Sequence, residues 1–200
     1  MATATWQLIV PVKPPALAKS RLGADEALAR AIARDTVAAA SGAQGVERIV
    51  VVTADLAQAA ELTGIAKVDV VLEDEPAGIA AAIASGLASL DPARPRAVLL
   101  GDLPALRPTE LDDALDAAAG ARRSFVRDSE GTGTSLVTAA GEVELVAHFG
   151  PDSAARHVAA GLTELPIAPT STIRLDVDTV ADLDAARDRG VGPATRSVLG

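Results

Sequence analysis

The stretch Ala97-Val98-Leu99-Leu100-Gly101-Asp102-Leu103-Pro104 constrains this chain more than any other. Four apolar residues without a polar interruption read as a strand buried on both faces, as in a parallel sheet covered by helices on either side. The run stops at Gly101, which lets the backbone turn tightly, and at Pro104, which cannot extend strand pairing. Asp102 is thereby a lone carboxylate at the carboxyl end of a central strand, the edge at which open α/β sheets bind ligands. A solvated turn aspartate is the plainer alternative. A second acidic stretch, Leu175-Asp176-Val177-Asp178, tips the reading towards a site.

Strand and helix alternate along most of the remaining chain. Apolar runs predict strands over 8–12, 48–52, 68–72, 124–127, 135–137, 162–167 and 173–177. Helical spacing and capping residues predict helices over 25–41, 57–62, 79–90, 109–119, 154–160 and 178–189. In the fourth of these, Thr109 caps with Asp112 as its capping-box partner; in the fifth, Asp152 or Ser153 is the cap. The expected architecture is a Rossmann-like three-layer αβα sandwich with a mainly parallel sheet. It forms one domain over 1–200, with 191–200 as a C-terminal tail.

Composition narrows the chemistry. The absence of cysteine excludes thiol catalysis and thiolate metal sites, and two histidines, His148 and His157, cannot build a multi-histidine centre. A metal must then be held by carboxylates, which favours Mg²⁺ or Mn²⁺. A net charge of −9 argues against nucleic acid and anionic membranes as partners. No targeting or membrane-spanning stretch is visible, so a cytoplasmic location is expected.

Against that acidic background, Lys13, Lys19 and Arg21 fall within nine residues of one another, after the first strand. The spacing is neither a P-loop nor a dinucleotide fingerprint. These cations suit a triphosphate, or else form an ordinary solvated basic loop. The stretch Asp128-Ser129-Glu130-Gly131-Thr132-Gly133-Thr134 can bring main-chain N–H groups and hydroxyls to an anion, or be a plain hairpin turn. The helix start near Gly150 and Ser153 offers free N–H groups, while His157 reads as packed or solvated rather than catalytic. Asp102 with Asp176 and Asp178 suggests a divalent ion whose shell is completed by phosphate oxygens, as displacement at phosphorus requires. A helix-capping Asp178 beside a surface Asp176 is the alternative.

A specific resemblance now enters. Ile9-Val10-Pro11-Val12-Lys13 with Ala16-Leu17-Ala18-Lys19-Ser20-Arg21-Leu22 resembles the opening loop of the 2-phospholactate/phosphoenolpyruvate guanylyltransferase family. Gly101-Asp102-Leu103-Pro104-Ala105-Leu106, Thr132-Gly133-Thr134, Phe149-Gly150-Pro151-Asp152-Ser153-Ala154-Ala155-Arg156-His157 and Asp176-Val177-Asp178-Thr179 continue the likeness in order. The tail 190–195 is similar to actinobacterial members. The resemblance implies a nucleotide-diphospho-sugar-transferase-like fold and transfer of GMP from GTP to phosphoenolpyruvate. The products would be enolpyruvyl-diphospho-guanosine and pyrophosphate, in the making of coenzyme F(420), with hand-off to the next enzyme of the pathway. It implies Mg²⁺ on Asp102, Asp176 and Asp178, and the acceptor acid on Thr134, Gly150 and Ser153. GTP is assigned to Lys13, Lys19, Arg21 and Gly78, with Asp102, Lys19 and Arg21 closest to the chemistry. Ile79-Ala80-Ala81-Ala82 departs from the family's Leu-Asn-x-Ala, so no asparagine contact to the nucleoside is carried over. The alternatives are 2-phospho-L-lactate as acceptor, a molybdopterin-type nucleotidyltransferase, or a non-catalytic nucleotide-binding module.

Overall fold

Seven strands form one sheet in the order β3-β2-β1-β4-β6-β5-β7 in the computed structural model, which describes residues 5–14 and 26–200. The strands are β1 (Trp6–Pro11), β2 (Val46–Thr53), β3 (Val68–Leu72), β4 (Arg96–Leu99), β5 (Arg123–Arg127), β6 (Thr134–Ala139) and β7 (Thr163–Glu164). β1 pairs in parallel with β2 and β4, and β2 with β3. β6 runs antiparallel to both β4 and β5, so it alone is reversed. Its first residue, Thr134, therefore lies at the edge where the parallel strands end.

The helices are α1 (Glu26–Gly42), α2 (Leu56–Thr63), α3 (Ile79–Leu87), α4 (Pro108–Ala118), α5 (Ser153–Ala159), α6 (Val180–Arg189) and α7 (Pro193–Leu199), with a 3₁₀ turn at Thr172–Arg174. The two faces of each central strand feed separate cores, which is why β4 shows no polar alternation. Ala97 and Leu99 join Val37 of α1 and Leu111 and Leu115 of α4. Val98 joins Ile83 of α3 and Ala154 of α5 on the opposite face. Three layers result. A third apolar cluster joins Leu28 and Ile32 of α1 to Val177, Leu183, Ala186 and Val191. Among the described residues no helix is long and apolar enough to cross a membrane.

Three local expectations are corrected. Residues 162–167 give only the two-residue β7, since Pro166 has no N–H to extend a ladder. Residues 173–177 are not a strand: the Arg174 guanidinium bonds the carbonyls of Arg127 and Asp128, anchoring this segment by a side chain instead of by strand pairing. The expected tail carries α7, capped from a distance by buried Asp35 of α1, which accepts the N–H groups of Ala194 and Thr195 at 3.0 and 2.7 Å. Asp112 also serves differently. Arg107 occupies the N-cap of α4, and the Asp112 carboxylate accepts from the N–H groups of Gln44 and Gly45. Asp25, the first residue of the first expected helix, lies outside the described residues.

Candidate active site at the carboxyl edge of the sheet

The turn after β4 is held from three sides. The Leu103 N–H donates to the hydroxyl of buried Thr36 on α1 (2.9 Å), and that hydroxyl donates in turn to the Ile32 carbonyl. The Val177 N–H donates to the Asp102 carbonyl, and the Gly192 N–H to the Pro104 carbonyl. Gly101 lies in a bend, as expected, and also serves a close approach. A Cβ there would sit 3.1 Å from the Pro11 carbonyl oxygen, so glycine lets the ends of β1 and β4 meet. Asp102 is thus fixed by its backbone while its side chain is left free of that task.

That side chain is unusual. Asp102 Oδ1 is buried and has no hydrogen-bond partner among the described residues. Burial pushes its carboxyl up to about 6, with Lys13 opposing the rise and Asp178 adding to it. Burial also lifts Asp176 to about 8, assisted by the negative charges of Asp102, Asp128 and Asp178. Negative charge is concentrated here beyond what exposed Lys13 balances. An orphaned carboxylate oxygen in such company fits a hard divalent cation. Among the described residues no three acidic or histidine side chains already converge as a closed cage. An open edge completed by substrate oxygens is the arrangement these residues suit.

Beside this cluster, on the neighbouring strand, stand two loops. In the β5–β6 turn, Asp128 is buried and its carboxylate accepts the N–H groups of Gly131 and Thr132 at 2.7 and 3.1 Å. The N–H groups expected to meet an outside anion there are turned onto the chain's own carboxylate. A Cβ on Gly133 would come 2.1 Å from Asp128 Oδ2, so glycine is needed at that position. In the second loop Gly150 has φ 110°, a conformation open to glycine, and the Arg156 guanidinium bonds the carbonyls of Phe149 and Pro151 around it.

The start of α5 also differs from expectation. Asp152 occupies the N-cap in a left-handed conformation without a side-chain bond. The N–H groups of Ser153 and Ala154 donate to the carbonyls of Gly150 and Thr132, so they are not free. The Ser153 hydroxyl instead donates to Thr134 Oγ1 at 3.1 Å. The same Thr134 oxygen lies 3.0 Å from Nδ1 of His157, and the His148 N–H donates to Nε2 of that ring at 2.8 Å.

The carboxyl edge therefore brings Lys13, Asp102, Asp176 and Asp178 into one electrostatic cluster, with Thr134, Gly150 and Ser153 linked beside it. Asp176 and Asp178 reach it from an irregular segment rather than from a strand end. Asp178 precedes α6, which Thr179 and Asp182 close with a reciprocal cap. Gly78, with φ 91°, caps α3 on the far side of the sheet, next after β3. Lys19 and Arg21 lie outside the described residues. Sequence reasoning missed Thr36, Asp128 and Arg174. Only Asp128, three residues before Gly131, carries a local turn signal.

Known proteins share this fold. A putative nucleotide-diphospho-sugar transferase from Desulfovibrio desulfuricans superposes with a TM-score of 0.67, at 15% identity, over 98% of this chain and 94% of its own. Rv0371c from Mycobacterium tuberculosis superposes with a TM-score of 0.65, at 21% identity, over 94% of this chain and 100% of its own. That protein is also known as a manganese complex. The fold is shared with these proteins. A family model described as the MobA-like NTP transferase domain matches residues 20–166. A relative from Thermomonospora curvata named phosphoenolpyruvate guanylyltransferase is 46% identical over 98% of this chain and 90% of its own length. Another of that name, from Streptomyces coelicolor, is 45% identical over 96% of this chain and 95% of its own. The chain belongs to the phosphoenolpyruvate guanylyltransferase family, within the MobA-like NTP transferases.

Proposed function

We propose that this chain transfers GMP from GTP to phosphoenolpyruvate, forming enolpyruvyl-diphospho-guanosine and pyrophosphate. Near full-length similarity to proteins of that name supports the reaction. The observation that carries the site assignment is that the unpartnered Asp102 Oδ1, just past β4, stands at the same sheet edge as Thr134, which opens neighbouring β6 and accepts from Ser153. A phosphate oxygen of the acceptor attacks the α-phosphorus of GTP. The bond from that phosphorus to the bridging oxygen breaks, and pyrophosphate leaves with the electron pair. The attacking oxygen is already ionised near neutral pH, so the chain needs no general base. Its task is positioning and charge neutralisation.

Asp102, Asp176 and Asp178 would hold Mg²⁺, which when bound neutralises phosphate charge. Lys13 stands beside Asp102 for the triphosphate, joined in this reading by Lys19, Arg21 and Gly78. Thr134, Gly150 and Ser153 form the subsite for the acid's carboxylate, Ser153 through its bond to Thr134, leaving the acid's phosphate towards Asp102. The product, a reactive mixed diphosphate, passes to the next enzyme in making coenzyme F(420). Pyrophosphate release from GTP, measured with phosphoenolpyruvate, with 2-phospho-L-lactate and without acceptor, tests the proposal. Release should require an acid and be fastest with phosphoenolpyruvate. Equal release without acceptor would contradict it.

A further inference from the structure

His157 is fully buried, between Phe125 at 5.4 Å and Phe149 at 5.9 Å, ring centroid to centroid. Both of its ring nitrogens are engaged. Nε2 accepts the main-chain N–H of His148, so it carries no hydrogen of its own. In a neutral imidazole the one hydrogen must then sit on Nδ1, and it points to Thr134 Oγ1. Thr134 Oγ1 also accepts the Ser153 hydroxyl, so both of its acceptor positions are filled. Its own proton is left with one possible role, to donate. A carboxylate, which only accepts, suits that donor.

We infer that His157 is a positioning residue for the acceptor acid: as a neutral imidazole protonated at Nδ1, it fixes the donor sense of Thr134 and ties the loop at His148–Ser153 to β6. This rests on the proposed acceptor subsite and adds to it a residue outside the binding set. His157 touches no reacting atom; it acts through Thr134. The charged and titratable groups around it are His148 from the loop and Arg156 from its own helix, and both oppose a second proton on the ring. Phe125 and Phe149 contribute only apolar surface. Burial acts in the same direction and holds the ring's pKa near 4, so the neutral form prevails at neutral pH.

The test uses the whole chain with GTP, Mg²⁺ and phosphoenolpyruvate. His157→Met keeps the volume and removes both bonds. It should raise the acceptor KM about tenfold or more, the worth of one hydrogen bond to an ionised group, and leave the GTP KM within roughly twofold. His157→Gln, with one donor and one acceptor, should recover part of the loss. A folded His157→Met with an unchanged acceptor KM overturns the inference. Nitrogen-15 spectra of the wild-type rings give a second reading that needs no variant to fold. With only two histidines in the chain, they should show the His157 hydrogen on Nδ1 at pH 7. A hydrogen on Nε2, or on both nitrogens, overturns it. A wild-type chain that forms no product contradicts the proposed reaction instead, and the spectra still decide the state of the imidazole.

Discussion

Asp102 pairs a rigid backbone with an unsatisfied side chain. Three bonds to its main chain, from the Thr36 hydroxyl of α1, from the segment before α6 and from the start of α7, hold the turn, so a change at the carboxylate should not loosen it. Burial already disfavours its charge. Asp102→Asn should therefore melt at or slightly above the wild-type temperature while turnover falls by about 100-fold or more, the scale of losing one aimed charge at a reacting phosphate. Near-wild-type turnover at saturating Mg²⁺ would remove Asp102 from the site. His157 makes a separate, pH-dependent contribution. Its folded pKa of about 4 lies below the unfolded value of 6.5, so the unfolded chain binds the extra proton first as pH falls. The stability that the buried neutral ring confers is whole above pH 6.5 and is lost as pH drops towards 4, by on the order of 3 kcal/mol. Urea titrations of wild type against His157→Met cancel the carboxylates common to both. The wild-type advantage should shrink by that amount between pH 7 and pH 4, and a constant difference would contradict it.

At the scale of elements, the end of the chain is part of the site's support. Asp35 of α1 caps α7, the neighbouring Thr36 holds Leu103, and Gly192 at the mouth of α7 holds Pro104. One turn of α1 thus ties the C-terminal helix to the backbone that carries Asp102. Gly192 is packed so closely that a Cβ there would come 2.4 Å from Asp35 Cγ. Asp35→Ala strands one buried and one part-buried N–H group and should cost about 2–4 kcal/mol in urea unfolding, with faster proteolysis near the C-terminus. A loss below about 0.5 kcal/mol, the size of an ordinary surface change, would show α7 to be held by other contacts. The cap joins residues 160 positions apart, so no local pattern in 191–200 reveals it. That separation is why this segment reads as a tail.

Across the whole molecule, what burial dictates was legible and what side chains improvise was not. β1, β2 and β4 announce themselves because strands covered on both faces become unbroken apolar runs. The carboxylate at the end of β4 follows from that same run. The segment 173–177 misleads because Ile173 and Val177 are both buried, yet Arg174 replaces the strand ladder with bonds from its guanidinium. The turn before Thr134 misleads in another way: its composition fits an anion cradle, and the anion it holds is Asp128. The Thr134–His157 contact spans two elements and leaves no trace in spacing. All of these devices converge on one edge, where an acid and a triphosphate are proposed to meet. Phosphorus-31 NMR of the chain with GTP, phosphoenolpyruvate and Mg²⁺ tests that claim most directly. The account predicts two mutually coupled signals of a new unsymmetrical diphosphate, growing in step with pyrophosphate as the phosphoenolpyruvate signal declines. GTP consumption that yields free GMP and leaves phosphoenolpyruvate intact would contradict it.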